Sequence, residues 1–322
     1  MKKTTIKKMI ALIIAGIIVM AVIFGGCGNK EKVTLNAAAL KGPTGLGIVK
    51  MMEDNSGNDE YSFMLAGTAD EIKGKLLNGE LDIAAVPTNL ASVLYNKTEG
   101  KIKIAAVTTL GVLYLMENGN SITQISDISD KTIYASGMGS AAQYVFEYIL
   151  RKNGLDPEKM DIQYVAEHSA LASMMVSEQA AIAVLPQPFV SSVLEKNSNI
   201  RIALDLQEEW KKVTEAPLAM GCVVVRSEYA EQNPKAVADF LEQYKKSSEY
   251  AVNNVKETAA LSDKYGIMTQ SAAEAALPYC NIVFLQGEEM KTVSSLFLKV
   301  LFEQDAASIG GKEPDENFYY EK

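Results

Sequence analysis

From about residue 33 onward, short apolar runs alternate with amphipathic stretches, a rhythm that predicts strands alternating with helices. KVTLNAAAL, starting at Lys32, reads as a strand ending near Leu40, and it runs into KGPTGLGIVKMMED, a Gly- and Pro-bearing loop followed by a helix. YSFMLAG from Tyr61 predicts a second strand. TADEIKGKLLNGE predicts its helix, opening at Thr68, where Thr68 and Glu71 have capping-box spacing. LDIAAVP from Leu81, TNLASVLYNK, and IKIAAVTTLG from Ile102 add a strand, a helix and a strand. Strands separated by helices in this way predict a mainly parallel sheet, and ligands of such sheets collect beyond the C-terminal ends of the strands.

The pattern then restarts. SDISDKTIYASG leads into GSAAQYVFEYILRKNGL, DIQYVAEH, SALASMMVSEQ, AAIAVLPQPFVSSVLEK and IRIALDL, a second α/β body whose order of features echoes the first. DIAAVPTNLASVL and AIAVLPQPFVSSVL correspond closely, which places proline-bearing loops at equivalent edges of two similar lobes. AMGCVVVR at 219–226 predicts another strand. The following SEYAEQNPKAVADFLEQYKKSSEYAVNN predicts long helix, with Asn233 as cap and Pro234 at the first helical position. The polar tail from about Ala306 to Lys322 is expected to fray or pack lightly, with its ENFYY aromatics docking on the body.

The N-terminus has a different character. Lys2, Lys3, Lys7 and Lys8 precede an apolar run from Met9 to Phe24, the arrangement of a signal peptide, and that run is short for a membrane span of about 20 residues. Gly25, Gly26 and Cys27 follow, and FGGC resembles the lipobox of bacterial lipoproteins. That resemblance implies removal of residues 1–26 and lipidation, including palmitate, at Cys27, which anchors the chain at the cell membrane. An uncleaved single-span anchor is the alternative, and either places the remaining chain outside the cytoplasm.

Removing residues 1–26 discards four lysines and no acid, so 27 basic residues face 40 acidic ones and the net charge moves from −9 to −13. Such a balance argues against a nucleic-acid partner, which requires a basic footprint. Beyond Cys27 only Cys222 and Cys280 remain, and they can pair in an oxidising compartment or stay as two buried thiols. Two cysteines and the single histidine, His168, have no metal-ligand spacing, so no metal or cofactor is expected. His168, in AEHSA at the start of a predicted helix, reads as a surface or capping residue, with ligand contact as the alternative.

Six segments in order, FGGC at 24–27, AALKGPTGLG at 38–47, ELDIAAVPTNLA at 80–91, ISDISDKTIYASGMGSAAQY at 125–144, AAIAVLPQPFV at 180–190 and MGCVVVRSEYAEQNPKAV at 220–237, carry a further resemblance. Together they are similar to the substrate-binding lipoproteins of ABC importers, in the NitT/TauT group of nitrate, sulfonate, taurine and thiamine-precursor receptors. The resemblance implies an α/β, two-lobed type II periplasmic-binding-protein fold with a hinge of two crossings. Lobe one would comprise residues 33–110 and 219–322 and lobe two 111–218, with crossings near Thr109–Tyr114 and Ala216–Gly221. It also implies a monomer that closes on a small organic or anionic solute and delivers it to membrane permease and ATPase subunits.

On that fold the expected ligand-binding residues fall in the loops after strands. Lys41, Gly42, Pro43, Thr44 and Gly45 form the first loop, where glycines admit close backbone approach and helix amides meet an electron-rich group. Gly67 and Thr68 end the second strand, and Pro87, Thr88 and Asn89 the third, with helix capping as their alternative role. Ser136, Gly137, Met138, Gly139 and Ser140 read as a polar cradle at a helix start, lacking the glycine spacing of a dinucleotide site. Pro186, Gln187 and Pro188 make the opposing loop. Tyr114 near the first crossing can stack on a planar ligand or pack the hinge. Glu215 near the second either favours an amine-bearing ligand or is a solvated loop carboxylate. With Lys41 the only basic residue in these loops, the site tilts away from nitrate and sulfonates toward a small organic, heterocyclic solute.

No GxSxG elbow, HExxH motif or His and Cys pair commits the chain to catalysis, so no catalytic residue is expected and the chain is read as a non-enzyme. A non-catalytic surface scaffold and, behind it, an enzyme like those making the thiamine pyrimidine are the alternatives.

Overall fold

The computed structural model describes residues 34–321, of which residues 35–321 belong to one compact unit. The expected signal peptide and the expected lipidation site, Cys27, lie outside the described residues. Strand β1 (Leu35–Leu40) leads to helix α1 (Pro43–Asp54), β2 (Tyr61–Ala66) to α2 (Ala69–Leu77), and β3 (Ile83–Pro87) to α3 (Thr88–Lys97), followed by β4 (Ile102–Thr109). After β5 (Leu113–Asn118) the second body runs β6 (Ile133–Ser136), α4 (Ala141–Lys152), β7 (Ile162–Val165), α5 (His168–Val176), β8 (Ile182–Pro186), α6 (Phe189–Lys196), β9 (Ile200–Asp205) and α7 (Leu206–Lys211). The chain ends with β10 (Gly221–Arg226), α8 (Ser227–Gln232), α9 (Pro234–Asn253), α10 (Val255–Lys264), α11 (Gln270–Ala276), β11 (Ile282–Leu285) and α12 (Gly287–Gln304).

A six-stranded sheet has the order β11-β4-β10-β3-β1-β2, and a five-stranded sheet the order β7-β6-β8-β5-β9. These two sheets with their helices are the two lobes of a periplasmic-binding-protein fold. The expected mainly parallel sheet is corrected to a mixed one. β1 is parallel to β2 and β3, but β10 lies antiparallel between β3 and β4. The reason is where the chain enters. Gly221 pairs with Pro87 and Thr109, the C-terminal ends of β3 and β4, so a strand starting there must run the other way. β5 does the same in the other sheet, where Leu113 pairs with Pro186 at the end of β8 and Tyr114 with Asp205 at the end of β9. Thus β2, β1, β3, β10 and β4 correspond in order to β7, β6, β8, β5 and β9, with β11 additional.

Apolar burial is concentrated on both faces of each sheet, as expected where helices cover them. α1 and α9 cover one face of the six-stranded sheet, with Tyr244 and Phe240 packed on Ala85, Val223 and Val225. Trp210 is fully buried against Tyr148 and Phe297, and its indole N–H donates to the Ala216 carbonyl at 2.7 Å. Three local expectations change. Thr68 does not form a capping box, because its hydroxyl donates to the Glu71 carboxylate at 3.1 Å instead. Asn233 precedes α9 without a side-chain cap, its amide donating back to the Tyr229 carbonyl. The tail packs firmly: Ile309 and Phe318 are fully buried, and the Ile309 carbonyl accepts from Ser92 and Asn96 of α3. Cys222 and Cys280 are separate buried thiols, pushed up by desolvation, Cys222 to about 12.

Candidate functional site

A cleft of about 740 Å³ opens where strands of both sheets end and helices begin. Leu40, Gly67, Pro87 and Thr109 bring β1 to β4 to it, and Val165 and Pro186 bring β7 and β8. Of the residues expected at the site, Lys41, Gly42, Pro43, Thr44, Gly67, Thr68, Pro87, Gly137, Met138, Gly139, Ser140, Pro186 and Gln187 line this cleft. The SGMGS loop reaches it because Gly137 and Gly139 adopt φ of +80° and +74°, a conformation L side chains resist.

Seven expected residues stand elsewhere. Gly45 faces the body: a Cβ there would lie 2.8 Å from the Leu40 carbonyl oxygen, so its role is to let α1 turn tightly off β1. Thr88 is fully buried beside the Cys222 thiol, and its amide donates to the Met220 carbonyl. Asn89 is 1% exposed and joins segments, its Nδ2 donating to the carbonyls of Gly139 at 3.0 Å and Ser308 at 3.1 Å. Tyr114 lies within β5 beside Asp205, its phenol pushed up to about 12 by burial. Ser136 is buried behind the cleft wall, where its hydroxyl meets His168 Nδ1 at 2.7 Å. Pro188 caps α6 without reaching the cleft. Glu215 lines a second cavity of about 530 Å³ at the crossings, with Gln207, Trp210 and Asn281.

The structure adds cleft residues beyond the expected set. His168 is the chief one: it stands at the first position of α5, immediately after a strand, and lines the cleft with its ring 5.4 Å from that of Phe189. What local signal there was lay in its place at a helix start a few residues after a strand, a junction that Thr44 and Ser140 also occupy at other offsets. Burial holds its imidazole down to about 4, so the ring is neutral at pH 7. Tyr144 and Tyr164 line the same side, both phenols pushed up by burial, and Tyr164 donates to Glu147 at 3.1 Å. Thr109 ends β4 at the cleft, 3% exposed, with its hydroxyl lacking any hydrogen-bond partner. Gln187 is 2% exposed. Its Oε1 accepts from the Ser191 amide and hydroxyl, which orients Nε2 away from Ser191 and leaves it without a protein partner.

Charge is confined to the mouth. Lys41 and Asp70 are exposed, and Asp70 pairs with Lys73 at 2.9 Å. Among the described residues no group of three or more His, Cys, Asp or Glu side chains is placed to hold a metal, and no helix is long and apolar enough to cross a membrane. The arrangement therefore offers shape, aromatic surface and neutral hydrogen-bonding groups to a bound molecule.

Comparison with solved structures gives extensive likeness. An ABC transporter from Parabacteroides distasonis is 27% identical with a TM-score of 0.72, covering 90% of this chain and 99% of its own. The periplasmic aliphatic sulphonate binding protein SsuA from Escherichia coli is 14% identical with a TM-score of 0.71, covering 89% and 92%. The periplasmic nitrate-binding protein NrtA from Synechocystis PCC 6803 is 14% identical with a TM-score of 0.65, covering 85% and 82%. No curated protein sequence matches. A sequence profile described as Menaquinone biosynthesis matches residues 46–289, most of the chain, and on that match the chain belongs to the menaquinone-biosynthesis family.

Proposed function

We propose that this chain is an extracytoplasmic solute receptor, tethered through a lipid on Cys27 after removal of residues 1–26, that closes on a small molecule and hands it to the permease and ATPase of an ABC importer. Lobe one would be residues 33–110 and 219–322, and lobe two 111–218. The observation that carries this reading is a cleft walled by strand ends from both sheets and bridged by a hydrogen bond from Asn89 to Gly139. A site made from both lobes fills only when they approach, and crossings at 110–112 and 216–220 are the places for a hinge. The likeness to solved receptors supports the same reading. Ligand contact falls to the cleft-lining loop residues, with the receptor acting as a monomer.

A second reading has one feature in its favour. The family description names a biosynthesis, and His168, neutral and held by Ser136 at 2.7 Å, is a group able to move a proton inside the cleft. It stands without a third orienting partner among the described residues, so binding is the better-supported role.

Thermal unfolding of the full chain in detergent, stripped of carried-over ligand and screened against nitrate, sulfonates, amino acids and heterocycles, tests the proposal. A midpoint raised by one chemical class, with that compound recovered unchanged after incubation, is the expected result. Conversion of the compound that requires His168 would replace receptor by enzyme.

A further inference from the structure

We infer that the cleft takes an uncharged, ring-bearing solute, stacked in the corner of Phe189 and His168 and hydrogen-bonded by Gln187 Nε2 and Thr109 Oγ1. This rests on the receptor reading and names the chemical class of its cargo.

Polar groups without partners come first. A buried hydroxyl lacking a partner is costly, and Thr109 carries one at 3% exposure on the cleft wall. Gln187 adds the complementary donor from the other sheet: Ser191 occupies its oxygen, leaving Nε2 for a solute acceptor. Together they suit a molecule bearing an acceptor such as a carbonyl or ring nitrogen.

Helix N-termini ordinarily favour anions, and several begin at this cleft. Here one amide at each of three of these helix starts is already answered, while α2 and α5 begin without a side-chain cap. α1 starts with Pro43, which has no N–H. The Thr88 amide of α3 donates to Met220, the Ala142 amide of α4 to Ser140, and the Ser191 amide of α6 to Gln187. At the mouth, the carboxylates of Glu71 and Glu167 both flank Gly67, and Asp70 lies beside them, opposing the two lysines. Among the described residues no arginine lines the cleft, and its only carboxylate, Asp70, is exposed and paired with Lys73, so a charged solute would be desolvated without a buried counter-charge. The walls are Phe189, His168, Tyr144 and Tyr164 on one side and Val86, Leu90 and Met220 on the other, surfaces suited to a flat ring between aromatic and aliphatic faces.

The test uses the full chain in detergent and four probes differing in charge or planarity alone: benzamide, benzoate, benzamidine and cyclohexanecarboxamide, with the same head groups on a two-ring scaffold. The neutral aromatic amides should give the largest rise in unfolding midpoint. Replacing the Thr109 hydroxyl by methyl, Thr109→Val, should leave the midpoint of the free chain unchanged or higher while weakening the best amide roughly fivefold. Gln187→Glu keeps the acceptor for Ser191 but removes the donor, and should weaken it more. A largest shift from benzoate or benzamidine, equal shifts from the saturated ring, or unchanged affinity in Thr109→Val overturns this inference and leaves the receptor standing. Silence from these probes and from the wider solute screen overturns both.

Discussion

His168 shows what a single position does here. Its imidazole is held at about 4 by burial, whereas in the unfolded chain it titrates near ~6.5. Because the folded value is the lower one, the unfolded chain takes up the proton first as pH falls. The associated stability is therefore complete above about pH 6.5 and is lost progressively toward pH 4. Unfolding midpoints measured from pH 7.5 to 4.5 should fall more steeply for the native chain than for His168→Gln, which cannot titrate; parallel curves would refute the depressed value. The residue reads from sequence as surface or capping before ligand contact because a lone histidine after AE has no metal-ligand or catalytic spacing, and its chemistry comes from Ser136 and Phe189, brought to it from other strands and helices. Thr44, Ser140 and Gln187 were placed at the cleft for the opposite reason: each lies in the junction between an apolar strand and the helix that follows, and that local pattern determines where the residue stands.

Among the elements, α3 best separates what periodicity can tell from what it cannot. The strand β3 and its helix are plain in the sequence, and so was the choice of Thr88 and Asn89 as polar residues at their junction. Their partners were not, since Gly139 is 50 and Ser308 219 positions away from Asn89. The outcome is that Asn89 holds the first turn of α3 to the SGMGS loop and to the tail. Asn89→Ala leaves the buried Ser308 carbonyl and the partly exposed Gly139 carbonyl without this donor and should destabilise the chain by about 1–3 kcal/mol in urea titration. Asn89→Asp, which cannot donate, should be at least as damaging. The tail was legible in part: its polar composition suggested light packing, whereas its aromatics were expected to dock, and Phe318 sits fully buried against Tyr95 and Tyr319, at ring distances of 5.2 Å each. Phe318→Ala should cost about 3–5 kcal/mol, a loss that a lightly packed tail would not show. The insertion of β10 was likewise hidden, because a buried strand reads the same in either direction and only its entry point beside Pro87 and Thr109 sets its sense.

At the scale of the whole molecule, in a receptor of the proposed kind affinity depends on the cleft and on how readily the lobes meet, and the two contributions can be separated at Asn281. This residue adopts φ of +41° ahead of β11, its backbone carbonyl accepts from the Leu110 amide, and its side chain donates to the Gly111 carbonyl and to Gln207 at 3.3 Å. It therefore ties the six-stranded lobe to the first crossing and to α7 of the other lobe, well away from the residues that line the main cleft. Asn281→Ala removes the two side-chain bonds and leaves alanine in a left-handed conformation that asparagine tolerates better. Loosening the crossing lowers the fraction of molecules in the binding-competent arrangement, and apparent affinity falls by that fraction whatever the solute. Every ligand should thus weaken by a common factor in Asn281→Ala, with its ranking preserved, and small-angle scattering should show a larger radius of gyration for the free variant. Asn281→Gly, which relieves the backbone but restores no side-chain bond, should behave alike if the bonds matter and recover if the strain does. Substitutions in the cleft, Thr109→Val among them, should instead reorder the ligands. A change of ranking in the Asn281 variants would mean that the crossing shapes the site itself and that the lobes do not move as rigid bodies.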